Sequence, residues 1–166
     1  MADHGKLFPA FDMGYVEAMK KLCARADYLL PNLTEAAFLT GMEPKLAGYT
    51  QEEIEALIAK LHNLGAKNVI LTGVSFDPGE LGSAVSDGTK IEYDFNPRLE
   101  RMSHGTGDVF ASVFAGAVMR GKTPLESAAL AADVVCESIR ATDDDHWYGV
   151  SFEKAIPFLV RALNRN

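Results

Sequence analysis

Asn68-Val69-Ile70-Leu71-Thr72-Gly73 is the stretch on which the fold turns. Three successive apolar residues cannot alternate between core and solvent, so this run needs cover on both faces, the condition of a strand inside a parallel, helix-flanked sheet. Just upstream, Gln51 to Leu64 places Ile54, Leu57, Ile58, Leu61 and Leu64 on one helical face and meets a stop at Gly65. Further back, Asp27 to Pro31 reads as a short buried strand ended by proline. It lies between a helix over residues 12–25, with Asp12 as N-cap, and a helix from Thr34 to near Gly41. Downstream, polar-alternating strands over residues 82–87 and 90–95 flank Asp87-Gly88, a hairpin signal. Helical patterns then run from Thr106 to about Arg120, from Pro124 to about Arg140 and from Ser151 to Leu163. This order predicts one α/β domain over residues 1–166, in three α/β/α layers, with a mainly parallel sheet and an edge hairpin.

The bulk numbers narrow the function. The 166 residues are 48% hydrophobic and 23% charged, an ordinary globular composition. Sixteen basic against 23 acidic residues give a net charge of −7, and no Lys/Arg cluster interrupts that background. Nucleic acid and anionic membranes are therefore poor partners, and an anionic ligand must be held by local backbone dipoles or a metal. Cys23 and Cys136 form no CxxC and sit in helical patterns, which predicts buried, reduced thiols. No apolar run approaches the ~20 residues that span a bilayer, and Met-Ala-Asp-His-Gly-Lys at the start has no signal character. The expected compartment is cytoplasmic. Asp143-Asp144-Asp145 reads as a solvated charged loop.

Three places carry chemistry. In His104-Gly105-Thr106-Gly107-Asp108-Val109-Phe110 two glycines bracket a threonine where a loop becomes a helix, with Phe110, Val113, Phe114, Ala117 and Val118 on the buried side. Backbone N–H groups at a helix start have no internal partner and carry the positive end of the dipole, so Gly105, Thr106 and Gly107 can form an anion hole. A carboxylate in the first turn, Asp108, can take a proton from an attacking hydroxyl. The structural alternative makes Thr106 a plain N-cap and Asp108 a dipole complement. The second place is Pro31-Asn32-Leu33-Thr34-Glu35, where Asn32 and Glu35 have capping-box spacing. They also fall at the carboxyl end of a strand, the ligand edge of an open α/β sheet, where Glu35 could hold Mg²⁺ or its waters. The third is Thr72, at the matching end of the next strand.

Asp3-His-Gly-Lys-Leu7, Pro31-Asn-Leu-Thr-Glu35, Val69-Ile-Leu-Thr-Gly73 and His104-Gly-Thr-Gly-Asp-Val-Phe-Ala-Ser112 together resemble the pyridoxal/pyridoxamine kinases of the ribokinase-like superfamily, and Tyr148-Gly-Val-Ser-Phe-Glu153 fits the same group. The resemblance covers nearly the whole sequence. It implies ATP-dependent phosphorylation of the 5'-hydroxymethyl group of a B6 vitamer. Asp108 would be the catalytic base, and Gly105, Thr106 and Gly107 would surround the transferred γ-phosphoryl. Asn32, Glu35 and Thr72 would contact ATP phosphates, while Asp3 and Glu35 would lie near the metal. The segment from Tyr93 to Met102 would run near the nucleotide. Mg²⁺ is the implied cofactor, with ATP as co-substrate and room for K⁺ as a second cation; a homo-oligomer is the implied assembly. A hydroxymethylpyrimidine kinase, a sugar kinase of the same superfamily, or a non-catalytic nucleotide-binding module are the alternatives. Family members are much longer, and the likeness begins partway along their chain. The expectation is therefore a C-terminal, nucleotide-side portion truncated at its N-terminus, and Ala2 stands where the family commonly has glycine.

A competing motif lies at Gly116-Ala-Val-Met-Arg-Gly-Lys122-Thr123, which satisfies the P-loop pattern. P-loops follow a buried strand, whereas Val109 to Met119 keeps one helical phase. Thr123-Pro124-Leu125-Glu126 reads instead as a capping box with proline at the first helical position.

Overall fold

The computed structural model describes residues 1–100, 104–144 and 148–164. The chain divides into two compact units, Met1–Phe95 and Asn96–Asn166. In the first, β1 (Ala2–Asp3) and β2 (Lys6–Leu7) form a small hairpin, followed by α1 (Met13–Cys23), β3 (Tyr28–Leu29), α2 (Leu33–Thr40), α3 (Gln51–Asn63), β4 (Asn68–Val74), β5 (Glu80–Ser86) and β6 (Ile91–Pro97), whose last residues enter the second unit.

The sheet order is β3-β4-β5-β6. β3 and β4 are parallel, with Tyr28 opposite Asn68, and an isolated parallel bridge between Asn32 and Thr72 extends the pairing. β4 and β5 are antiparallel, and the four-residue connection from β5 to β6 permits only an antiparallel return. The sheet is thus mixed, where a mainly parallel one was expected. The α/β class stands, but a parallel neighbour needs a long crossover, and only β3 to β4 has one. β4 is buried on both faces as its apolar run requires, since Val69, Ile70 and Leu71 have no exposed surface.

The core of this unit lies between β4, β5 and the helices α2 and α3. Ile54, Leu57, Ile58 and Leu61 of α3 pack with Val69, Leu71 and Val74 of β4 and Ala84 of β5. Each such fully buried side chain contributes about 1.5–3 kcal/mol of transfer free energy, so the face read from helical spacing is the face that anchors α3 to the sheet. Capping boxes at Thr50/Glu53 and Asn32/Glu35 fix where α3 and α2 begin.

The Asp87-Gly88 hairpin differs in detail from the expected two-residue turn. Residues 87–90 connect the strands, and Asp87 Oδ1 accepts hydrogen bonds from the N–H of Thr89 (2.8 Å), its hydroxyl (2.7 Å) and the N–H of Lys90 (3.1 Å). These bonds, led by that of the Thr89 hydroxyl, hold the Asp87 carboxyl at about 2. A two-residue turn with both central φ positive occurs instead at His4-Gly5, φ 48° and 75°, joining β1 to β2.

The second unit contains α4 (Thr106–Met119), α5 (Pro124–Arg140), a 3₁₀ turn (Phe152–Ala155) and α6 (Ile156–Leu163). α4 buries Val113, Phe114 and Ala117, and α5 buries Ala128, Ala131 and Val134. Cys23 and Cys136 are not joined in a disulfide; Cys23 is buried, its thiol pushed up by desolvation, while Cys136 is only half-buried, short of the full burial expected. Among the described residues no helix is long and apolar enough to cross a membrane.

Candidate active site

The N-cap of α4 is Gly105, which holds φ 83° and ψ −2° and offers no side-chain cap. A left-handed residue is needed there to turn the loop into the helix, and glycine adopts that conformation without steric cost. The first internal bond of the helix is Val109 N–H to Gly105 C=O, 3.1 Å. The N–H groups of Thr106, Gly107 and Asp108 precede it, so the helix cannot use them. Thr106 occupies the first helical position and is not the N-cap, so the plain capping alternative is wrong: the end is left open. Among the described residues, a Cβ built at Gly105 or Gly107 meets nothing within 4 Å. The result is a bare helix N-terminus with room in front of it, a geometry suited to an anion.

Asp108 is the one acidic residue of that first turn. It is exposed and makes no hydrogen bond or ion pair among the described residues, so its carboxylate is unencumbered as an acceptor. Behind the loop, the His104 ring stacks on Tyr148 at 5.4 Å between centroids and 19° between planes. A Cβ on Gly149 would lie 3.7 Å from the His104 carbonyl oxygen. The segment after α5 thus supports the approach to the glycine loop, a contact 44 residues apart in sequence that no local pattern announced. Beyond Asp108 an apolar groove of about 440 Å³ follows α4 through Ser112 and Gly116 to Arg120, walled by Phe152 and Ile156.

In the first unit Asn32, Glu35 and Thr72 lie at the carboxyl ends of β3 and β4, and Asp3 follows the Ala2 residue that Asn32 holds, its own carboxylate accepting from His4 N–H at 2.8 Å. Asn32 Oδ1 accepts from Glu35 N–H (2.8 Å) and Glu35 Oε2 accepts from Asn32 N–H (3.1 Å), so the capping box is complete. Asn32 Nδ2 donates to the Ala2 carbonyl (2.9 Å), tying the β1–β2 hairpin, and with it Asp3, to α2. The remaining oxygen of Glu35, Oε1, accepts from the Met1 amine at 2.7 Å. Thr72 donates its N–H to the Pro31 carbonyl at 2.9 Å and its hydroxyl to the same oxygen at a slack 3.3 Å. A phosphate oxygen would outcompete so long a neutral bond. Gly73, with φ 83°, sits at the register shift between Thr72 and Val74 in the β4–β5 ladder. Bulges of this kind re-aim side chains beside functional sites.

Three other expectations meet the structure here. The P-loop pattern is absorbed by helix geometry: Gly116 lies inside α4, and Gly121 and Lys122 N–H groups close its end on Val118 and Ala117 carbonyls (2.9 and 3.2 Å). Thr123 and Glu126 then form the capping box of α5, with Pro124 at its first turn. Tyr93 and Phe95 stack on each other at 6.0 Å and pack against the α3 core, so that part of the 93–102 segment is turned inward. Arg101 and Met102 lie outside the described residues. In the acidic run Asp143 pairs with Lys154 at 2.6 Å, and Asp145 is outside the described residues.

Residues 4–150 match the phosphomethylpyrimidine kinase family. The chain belongs to that family. A pyridoxal kinase from Dictyostelium discoideum is 31% identical over 149 residues, 82% of this chain and 45% of the relative. Among solved structures, one described as a phosphomethylpyrimidine kinase from Bacteroides thetaiotaomicron, crystallised with pyridoxal, superposes with a TM-score of 0.88 at 31% identity, over 96% of this chain and 58% of that one. The pyridoxal kinase of Lactobacillus plantarum gives 0.86 at 29%, over 98% and 59%. The ribokinase-like α/β fold is thereby shared, and the chain spans about half the length of the relatives it matches.

Proposed function

We propose that this chain carries the nucleotide-side and catalytic-base part of an ATP-dependent kinase that phosphorylates the 5'-hydroxymethyl group of a B6 vitamer. The observation that carries the reading is the uncapped start of α4, open among the described residues, with an exposed carboxylate in its first turn. Asp108 accepts the hydroxymethyl proton as that oxygen attacks the γ-phosphorus. The bond from the γ-phosphorus to the β–γ bridging oxygen breaks, and ADP leaves. Thr106, Gly107 and Asp108 N–H groups receive the charge that builds on the equatorial oxygens, where fixed dipoles are most effective.

The first unit has the nucleotide task, with Asn32, Glu35 and Thr72 toward the phosphates. Among the described residues no cluster of three metal-ligating side chains exists, and both Glu35 oxygens already accept backbone or amine N–H groups. Mg²⁺ keeps several waters and takes most of its other ligands from substrate phosphates, so it asks few direct donors of the protein. Asp3 and Glu35 would hold it through waters and their remaining lone pairs. When bound, Mg²⁺ neutralises phosphate charge.

The relative named pyridoxal kinase and the neighbour crystallised with pyridoxal favour a B6 vitamer as acceptor. The family description favours the second reading, a hydroxymethylpyrimidine acceptor. Two cysteines without a disulfide agree with a cytoplasmic setting. A homo-oligomer is supported by the apolar groove of the second unit and by Phe152, Ile156 and Val160, all about half exposed beside it.

The test is turnover by the protein expressed from its complete reading frame, with pyridoxal and hydroxymethylpyrimidine offered in parallel. Asp108→Asn should cut pyridoxal turnover by about 10² or more while Mg-ATP affinity stays within a few-fold. An Asn variant at near-full kcat would reduce Asp108 to a helix-start charge.

A further inference from the structure

Thr34 lies between the two capping residues Asn32 and Glu35, yet it caps nothing. It is buried, 5% exposed, and its Oγ1 accepts a hydrogen bond from Gly5 N–H at 3.0 Å, 29 residues away. Gly5 is the second residue of the tight turn between β1 and β2, and the residue before it, His4, is the only described non-glycine with positive φ. A non-glycine held there is strained and persists only where its surroundings fix it. The hairpin has just two residue pairs, Ala2–Leu7 and Asp3–Lys6, too little for independent stability. Three bonds hold it to α2: the Met1 amine to Glu35 just before the strand, Asn32 to the Ala2 carbonyl at the strand, and Thr34 to Gly5 at the turn, the last being the only one of the three that reaches the turn. Asp3 sits between the anchored Ala2 and Gly5.

We infer that Thr34 is a positioning residue for the nucleotide–metal end of the site, setting Asp3 by clamping the turn beside it. The inference rests on the functional reading above and adds a residue to which that reading assigns no task. Thr34 touches no reacting atom; it acts through Gly5 and the hairpin. Serine keeps the acceptor oxygen, whereas valine keeps the shape and removes it.

The experiment uses the 166-residue chain and its Thr34→Val, Thr34→Ala and Thr34→Ser variants, with Mn²⁺-ATP as the probe. Three readouts are taken: amide exchange at Gly5, Mn²⁺-ATP affinity by titration, and the thermal midpoint. Loss of one hydrogen bond of this class corresponds to about 3- to 10-fold in an equilibrium. Thr34→Val should therefore speed Gly5 exchange and weaken Mn²⁺-ATP by that factor, with the midpoint lowered by no more than a few degrees. Thr34→Ser should match the parent in all three. If valine does not fold, alanine removes the same acceptor without the branch and replaces it. Parent-like Gly5 exchange in the valine or alanine variant overturns the inference, as does faster exchange with unaltered Mn²⁺-ATP affinity, or a serine variant as impaired as valine. A parent chain that binds no Mn²⁺-ATP, while Gly5 exchange responds as expected, refutes the nucleotide reading itself and the positioning role with it.

Discussion

Gly107 and Gly105 flank Thr106 at the start of α4, and the structure predicts opposite stability effects for alanine at the two. Gly107 has helical backbone angles at the second helical position, and among the described residues a Cβ there meets nothing within 4 Å. Replacing glycine by alanine inside a helix gains about 0.5–1 kcal/mol, and the first turn should return the lower end, about 0.5 kcal/mol. For a chain of this size that raises the thermal midpoint by roughly 1–2 °C. Gly105 also has open space, but its φ is 83°. An L-residue there costs about 1–2 kcal/mol, which lowers the midpoint by roughly 2–8 °C. If the empty volume is reserved for a phosphoryl group, the more stable Gly107→Ala protein should be the poorer enzyme. Its methyl group would stand where the transferred oxygens approach the N–H groups, with a loss of about 10² in turnover, the scale for disabling one oxyanion donor. Calorimetry on the chain and pyridoxal turnover by the full-reading-frame protein measure the two sides. A Gly107→Ala protein that melts higher and turns over normally would show that the space serves no ligand. One that melts lower would show that the local geometry has been misread.

Lys122→Ala should leave Mg-ATP affinity within about two-fold, because the Lys122 N–H closes a helix end and its loop follows a helix; a loss of ten-fold would revive the P-loop. Asp87, held near 2 against about 3.9 unfolded, contributes stability that is full above the unfolded value and disappears as pH falls through the folded one. Asp87→Asn should therefore destabilise the chain at pH 6 but converge with the parent near pH 2, as read by urea midpoints across that range. Sizing chromatography with light scattering should find the 166-residue chain self-associated, and replacing Phe152, Ile156 and Val160 by polar residues should shift it toward monomer; a monodisperse parent monomer would refute that assembly.

What the sequence determined by itself was mostly local. Helical spacing of Ile54, Leu57, Ile58 and Leu61 marked the buried face of α3, because burial repeats with the helix period. The Asn32–Glu35 and Thr123–Glu126 spacings predicted capping boxes, since those bonds close within one turn. The unbroken helical phase of Val109 to Met119 argued against a P-loop from the sequence alone. Tertiary structure decided the rest. The sheet is mixed because pairing direction depends on which strands meet, and Val69-Ile70-Leu71 is equally apolar beside a parallel or an antiparallel neighbour. Local chemistry left Thr106 open between an anion-hole residue and a plain cap, and the left-handed N-cap at Gly105 puts it at the first helical position with no side-chain cap at that end. The His104–Tyr148 stack and the Thr34–Gly5 bond join residues 44 and 29 positions apart, and no periodicity in the sequence records a contact made only when the chain returns on itself.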